Sequence, residues 1–475
     1  MANENTLNRV VVIDGDGNVT KVKSDAEIVK DNEEFEKSLQ GSKKPEIKLD
    51  ENILQKLKEK QKTKEESAMK VVAARDRSIQ FGIIGLGHAG SKICQTFHEL
   101  GYTGVCFNTA SQDLEYLSLP NNKKILLNFS DIGGAGKELE NGRLAIEQNR
   151  DLILSKLKET FSNNQEALLL VISGSGGTGS GGAEEMANLL LSLGKPVGIL
   201  FVLPMEADAL SKHNTVVTLS KLSKLASPPN GKITPLIIVD NAKIELLYPG
   251  ISKASFWEVA NSAIVTPLHL FNKLSANGSR FEALDGMDFS HMFFQDSCLI
   301  YGTVEVEDYS DVSSLAEAMV ENVENGLLAS DFNLNECRYA GFIITGNSNA
   351  LNKLQAVSVN YCEHIINELC HNPQIFKGVY EIEDSSDSIK VYYMFSGLGL
   401  PSARIKNLQT QATEQMLAMK EKEKACVDKM IVEYGSSGDT DNKAKEINRI
   451  IQQKKTGFGK LTANVNKKVT DYRKR

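Results

Sequence analysis

Apolar residues along this chain gather in short runs, each followed by a stretch in which they recur every three or four positions. The runs at 79–84, 104–107 and 167–172 are too short for core helices and are bounded by glycine or polar residues, so they predict buried strands. Helical spacing follows over 91–100, over 141–158 and from 183 onward. Strand and helix alternate in this way from 78 to 250, the pattern of a doubly wound parallel sheet in an α/β fold. A long helix is predicted at 255–274. Beyond it, predicted strands at 297–306, 337–345, 376–382 and 389–395 alternate with helices at 312–328 and 350–369. Past Pro401, a helix rich in Gln, Glu and Lys runs to about residue 434.

The two ends read differently. Residues 1–77 form an extension that opens with a predicted hairpin at 10–22 around Asp14-Gly and Asp16-Gly. The run Asp14-Gly-Asp16-Gly-Asn18 hints at a calcium loop, but Val19 stands where such a loop needs glycine, so no calcium site is assigned. After a breaker at 41–45, a charged helical stretch at 50–77 carries only Ile53, Leu54 and Leu57 as an apolar stripe and reads as a solvated face. At the other end, 435–441 reads as a flexible joint leading into a basic tail with Arg449, Lys454, Lys455, Lys460, Lys467, Lys468, Arg473, Lys474 and Arg475.

Three glycine-rich segments separate predicted strands from predicted helices. The longest is Ser173-Gly-Ser-Gly-Gly-Thr-Gly-Ser-Gly-Gly182, where several successive N–H groups at a helix N-terminus can converge on one anion. Gly85-Leu-Gly87-His-Ala-Gly90 fits a dinucleotide fingerprint, yet the following strand ends in Asn108-Thr109 rather than in the acid that would hold a ribose. Gly133-Gly-Ala-Gly136 precedes a third helix. No Gly-x-x-x-x-Gly-Lys-Ser/Thr run occurs, which argues against a P-loop NTPase. In a parallel sheet, the three segments would meet at its carboxyl edge and could wrap a triphosphate.

Ser175-Gly-Gly-Thr-Gly-Ser-Gly181 fits the signature of the tubulin/FtsZ superfamily of filament-forming GTPases at every position, and the chain resembles that family from about 78 to 401. Among its branches the chain is most similar to the TubZ-type proteins of plasmids and phages, through Asn108-Thr-Ala-Ser-Gln-Asp113, Leu203-Pro204 and Asp240-Asn-Ala-Lys243. The resemblance implies a Rossmann-like GTP-binding domain at 78–250, a central helix and catalytic loop at 251–296, and a smaller α+β mixed-sheet domain at 297–400. A C-terminal helix at 401–434 and a joint and tail at 435–475 follow. It also implies a GTP or GDP site made by Gly85, Gly87, His88 and Gly90, by Asn108, by Gly134, Ala135 and Gly136, and by Ser175, Gly176, Gly177, Thr178, Gly179 and Ser180. Glu206 falls at the ribose, and Asn241, Trp257 and Asn261 fall at the base. Trp257 and Asn261 are four apart on a helix, so one can stack on a purine while the other reads its edge. The resemblance adds Mg²⁺ on the phosphates.

Glycine, serine and threonine cannot polarise an attacking water as a carboxylate can. In this family the carboxylate comes from a loop after the central helix, on the opposite face of the molecule, so that a neighbouring subunit completes the site. Here that loop resembles 281–290. Asp288 aligns with the first acidic position of FtsZ, and Asp285 suits the TubZ pattern better. Gly286 stands where FtsZ has Asn, and His291 where it has a second Asp.

Composition narrows the field further. The 475 residues carry a net charge of −7, no run of about 18 apolar residues and a polar, acidic start, which predict a cytoplasmic protein with no signal peptide and no membrane span. Seven scattered cysteines, with no Cys-x-x-Cys, predict neither a disulfide framework nor a structural metal site. The reading is a GTPase that polymerises head to tail, acting in plasmid or phage DNA segregation, with a DNA-bound adaptor engaged by the basic tail and no sequence-specific DNA contact of its own. The alternatives are an FtsZ-like division scaffold, a non-catalytic structural relative, and an NAD-dependent dehydrogenase using the Gly85 loop.

Overall fold

The computed structural model describes residues 10–13, 19–23 and 75–435, apart from 131–132, 162–163, 206–207, 230, 248–249 and 327–331. The calcium-like turn, the charged stretch up to residue 74, Glu206 and the joint and tail past 435 therefore lie outside the described residues. Internal contacts divide the chain into Met1–Ala73 and Ala74–Arg475. In the first unit, β1 (Val10–Ile13) and β2 (Val19–Lys23) pair antiparallel, with Val10 opposite Lys23, at the place where a hairpin is predicted.

The second unit is built on one ten-stranded sheet. Its parallel half comprises β3 (Phe81–Leu86), β4 (Thr103–Asn108), β5 (Lys124–Leu126), β6 (Ala167–Ser173), β7 (Val197–Leu203) and β8 (Ile233–Asp240). The mixed half comprises β9 (Cys298–Val306), β10 (Tyr339–Gly346), β11 (Gln374–Glu381) and β12 (Ile389–Leu398). The order is β11-β10-β12-β9-β8-β7-β6-β3-β4-β5, and β12 alone runs against the other nine. The halves are joined by a parallel contact of two residue pairs, Leu236 with Cys298 and Ile237 with Leu299. Strands β3 and β7 are buried at every position, odd and even alike, which requires cover on both faces and explains their unbroken apolar sequence.

The helices follow in chain order: α1 (Gly87–Glu99), α2 (Ser111–Glu115), α3 (Leu139–Gln148), α4 (Arg150–Thr160), α5 (Thr178–Gly181), α6 (Ala183–Leu191), α7 (Ala209–Ala226), α8 (Asn241–Leu247), α9 (Lys253–Leu274), α10 (Gly286–Phe293), α11 (Ser314–Asn325), α12 (Ser348–Lys353), α13 (Ala356–Cys370) and α14 (Ser402–Gly435). Two predicted helices are each split in the structure. The one at 141–158 breaks at Asn149, whose buried amide donates back to the Ala145 carbonyl and across to that of Asn128. The one at 350–369 breaks at Leu354 and Gln355, both extended, after a short helix capped by Asn347.

Helix α9 sets the long dimension of the site. Ser252 caps its start by accepting from Ser255 N. Near its end, the fully buried Asn272 amide donates to the Ile79 carbonyl at 2.8 Å and accepts from Ile79 N at 2.7 Å, as a neighbouring strand would. Its 22 residues span about 33 Å at 1.5 Å per residue.

Candidate functional site

The three glycine segments meet at the carboxyl edge of the parallel half. Gly90 lies so close to β6 that a Cβ there would stand 2.1 Å from the Val171 carbonyl oxygen, so only glycine lets α1 start at this depth. A Cβ on Gly177 would meet Ala135 at 2.8 Å, which brings the 133–137 loop against the 174–180 loop. Gly87 packs beside Gly179 and Thr178. Gly134 N donates to the Thr109 carbonyl at 2.9 Å, and the buried Thr109 and Thr178 hydroxyls are 2.6 Å apart. The run of small residues turns helical earlier than expected, at Thr178 in α5 rather than at 183.

Several side chains beyond the expected site residues hold this edge together. Asp113 on α2 accepts from Asn108 Nδ2 at 2.9 Å and pairs with His88 Nδ1 at 3.0 Å. Asn214 on α7 donates to the carbonyls of Lys137 and Gly176, clasping two loops at once. Lys137 sits in the left-handed region at φ 60° and reaches Asp208, the N-cap of α7. The hydrogen bond from Lys137 holds the Asp208 carboxyl down to about 2. Of these, Asp208 carries a local signal, an acid directly before a helical run, and Asp113 ends the Asn108–Asp113 run that resembles TubZ. Lys137 and Asn214 act between elements far apart in sequence.

Beside the loops, a cleft of about 550 Å³ is lined by His88, Lys92, Asn241, Trp257, Glu258 and Asn261 among others. Trp257 is 46% exposed and meets Phe256 edge-on at 5.1 Å, while Asn261 is buried. The chain thus brings together every described residue expected at the base, within reach of the first glycine loop. Asn241 is set by its neighbour: the buried Asp240 accepts from Ala242 N at 3.1 Å and takes a two-point ion pair from Arg404 of α14, at 2.6 and 3.2 Å. A slightly larger open groove, about 610 Å³, lies on the mixed half around Glu307, Asp308, Lys353 and Asp387. It holds none of the expected site residues, and Asp387 is engaged by Asn347, Asn349 and Lys353.

Asp285 and Asp288 are elsewhere. Asp285 caps α10, accepting from Met287 N at 2.8 Å and Asp288 N at 2.9 Å, and Asp288 accepts in return from Asp285 N at 3.1 Å. The preceding loop is clamped to β11, where the Tyr380 hydroxyl bonds both the N–H and the carbonyl of Leu284. Gly286 packs on Ser78, just ahead of β3, at the amino edge of the sheet. The glycine loops and Trp257 therefore lie at one end of α9 and the two acids beyond its other end. Phe281 and Met287 beside the acids are 43% and 65% exposed.

A parallel sheet with glycine loops at one edge, a cleft beside a long central helix and an acidic loop past that helix's far end match the arrangement expected of the tubulin-like class, and the comparisons support the tubulin/FtsZ superfamily. Its relatives are of the CetZ and TubZ kinds. The tubulin-like protein CetZ of Pyrococcus furiosus is 27% identical over 330 residues, covering 66% of this chain and 84% of the relative. The tubulin-like protein TubZ of Bacillus cereus is 21% identical over 407 residues, covering 78% and 92%. Among solved structures, a GTPγS-form protofilament of Bacillus thuringiensis serovar israelensis TubZ superposes with a TM-score of 0.66 at 20% identity, over 75% of this chain and 96% of that one. No family model matches the chain.

Proposed function

We propose that this protein binds GTP at the glycine-loop edge, polymerises head to tail, and hydrolyses GTP with Asp285 and Asp288 supplied by the adjoining copy. The observation that carries this reading is the separation of cradle and acids by the length of α9, which leaves neither half-site able to act within one chain. Stacking copies with the acidic loop of one on the glycine edge of the next joins the halves. Such a heterologous contact does not close on itself and so propagates into a filament. The exposed Phe281 and Met287 supply apolar area for that contact.

In this reading the backbone N–H groups of the loops hold the phosphates, and the acids of the second copy orient and polarise the attacking water. Among the described residues, no cluster of His, Cys, Asp or Glu could hold a metal by itself. The Thr109 and Thr178 hydroxyls, 2.6 Å apart, are the hard oxygen donors that would hold Mg²⁺ beside the triphosphate, where the ion would supply neutralisation of phosphate charge. Trp257 stacks on the base while Asn241 and Asn261 face its edge.

The relatives named TubZ extend the reading to movement of plasmid or phage DNA in the cytoplasm, with the basic residues past 435 engaging a DNA-bound adaptor. Truncation after Gly438 is expected to spare hydrolysis and lose cargo attachment. The central test is phosphate release and light scattering followed together across protein concentration. Specific activity that rises as polymer appears supports the reading. Full activity in dilute, unassembled protein overturns it.

A further inference from the structure

The cysteines are scattered in sequence, yet the fold sets two of them against each other on the mixed half. Cys337 stands between the 3₁₀ turn Leu334–Glu336 and β10, and Cys370 is the last residue of α13. Gln374 N donates to the Arg338 carbonyl at 3.0 Å and Tyr339 lies opposite Gln374, so the segments that follow the two cysteines are joined backbone to backbone. Helix α13 packs on the 334–336 turn, and both thiols are buried, with Cys370 Sγ hydrogen-bonded to Cys337 Sγ. Cys337 Sγ also lies 3.2 Å from the Tyr339 carbonyl oxygen.

The two sulphurs are unequal. The hydrogen bond from Cys370, then the backbone of Ser396 and Tyr339 and the charge of Arg338, hold the Cys337 thiol below its ordinary range against the opposing effect of burial. The same hydrogen bond and burial push Cys370 up. Cys337 keeps 6% of its surface open against 1% for Cys370, so it is also the first to meet a small solute. A second pair, Cys94 and Cys106, lacks both features: each is fully buried, and its contact with Cys106 and burial raise Cys94 well above its ordinary range. Burial likewise lifts Cys362 to about 12 and pushes Cys298 up. The thiolate is the nucleophile toward peroxides, and a second thiol in contact can resolve the oxidised one.

We propose that Cys337 and Cys370 are a modification site for hydroperoxides, which close the pair to a disulfide. The Cys337 sulphur attacks one peroxide oxygen; an S–O bond forms, the O–O bond breaks, and the departing oxygen leaves with the Cys337 proton, as water where the oxidant is hydrogen peroxide. The Cys370 sulphur then attacks the resulting sulfenic acid; the S–S bond forms, the S–O bond breaks, and hydroxide leaves with the Cys370 proton as a second water. The two thiols together lose two electrons, and the peroxide takes them up. The product ties the start of β10 to the end of α13.

The test exposes the folded full chain to hydrogen peroxide, removes the peroxide with catalase, and unfolds the chain in iodoacetamide so that every remaining thiol is capped. Reduction and labelling with N-ethylmaleimide then mark the cysteines that had been linked. Trypsin and glutamyl endopeptidase cut between Cys298 and Cys337 and between Cys362 and Cys370, so mass spectrometry reads each separately. Cys337 and Cys370 are expected to take the second label in equal amounts, and without reduction their peptides are expected as one linked species lighter by two hydrogen atoms. Cys370→Ser is expected to stop at the sulfenic acid, captured by dimedone on Cys337. A wild-type chain in which Cys337 and Cys370 keep the first label, at a peroxide dose that oxidises the exposed Cys426, overturns the proposal without recourse to any variant. So does a link that forms only after the chain has been unfolded in urea.

Discussion

Asp113 accepts from His88 on one side and from Asn108 on the other, so one carboxylate orients two residues of the glycine edge. Asp113→Ala is expected to lower GTP affinity about tenfold, the scale of hydrogen bonds to a charged group. Stability should fall by about 1 kcal/mol or more, because the buried Asn108 amide loses its acceptor, while the exposed His88 pair contributes little. Isothermal titration beside urea denaturation separates the two effects; a lower urea midpoint with unchanged affinity would make Asp113 merely structural. His269 makes the opposite kind of case. Burial first, then the nearby charges of Arg77 and Lys273, push its imidazole from the ordinary 6.5 down to about 4, against a weaker upward pull from Asp76, while Tyr102 OH lies 3.2 Å from Nδ1. The unfolded chain binds the extra proton between those values, so stability is complete above pH 6.5 and falls as pH drops toward 4. His269→Gln removes that titration, and its urea midpoint should fall less steeply over the same interval. At this scale the sequence displayed residues with local grammar, the glycines and the Trp257 and Asn261 pair. It concealed Asn214, whose partners Lys137 and Gly176 are brought near only by the fold, and the pairing of Asp113 with His88.

Strands and glycine loops were legible because backbone needs dictate their residues: strands covered on both faces must be apolar, and a helix starting against β6 must carry glycine in its first turn, at Gly90. Helix continuity was less legible. Periodicity runs straight through Asn149, and only the carbonyl it bonds across the loop at Asn128 shows why the helix breaks there. The docking of α14 was hidden for a similar reason. Its sequence is rich in Gln, Glu and Lys, yet Leu408 and Ala412 are buried and Arg404 forms the two-point pair with Asp240 across 164 positions of sequence. That pair ties the base of α14 to the strand end that presents Asn241. Removing the arginine strands a buried carboxylate, so Arg404→Ala is expected to cost about 3 kcal/mol. It should also weaken GTP binding through the freed Asn241. Urea denaturation measures the first effect and nucleotide titration the second; a stability loss with unaltered affinity would confine the pair to architecture.

At the scale of the whole molecule, the proposed division of the reaction centre between copies demands a behaviour that no single-chain centre would show. Thr178→Ala with Gly179→Ala removes the Thr109 partner and sets a Cβ 3.0 Å from the Leu86 carbonyl oxygen, which damages the cradle and leaves the acids untouched. Asp285→Asn with Asp288→Asn does the reverse, and asparagine still caps α10, so the fold is preserved. Each variant alone lacks one half of every interface. Mixed in equal amounts and free to co-assemble, they create contacts in which the intact cradle of one meets the intact acids of the other, roughly one interface in four for random stacking. Phosphate release should therefore return in the mixture, from two preparations that are each nearly inactive, and should rise as the total concentration favours assembly. A centre contained within one chain would leave the mixture as inactive as its parts. The experiment therefore tests the arrangement itself, whichever of Asp285 and Asp288 does more of the work.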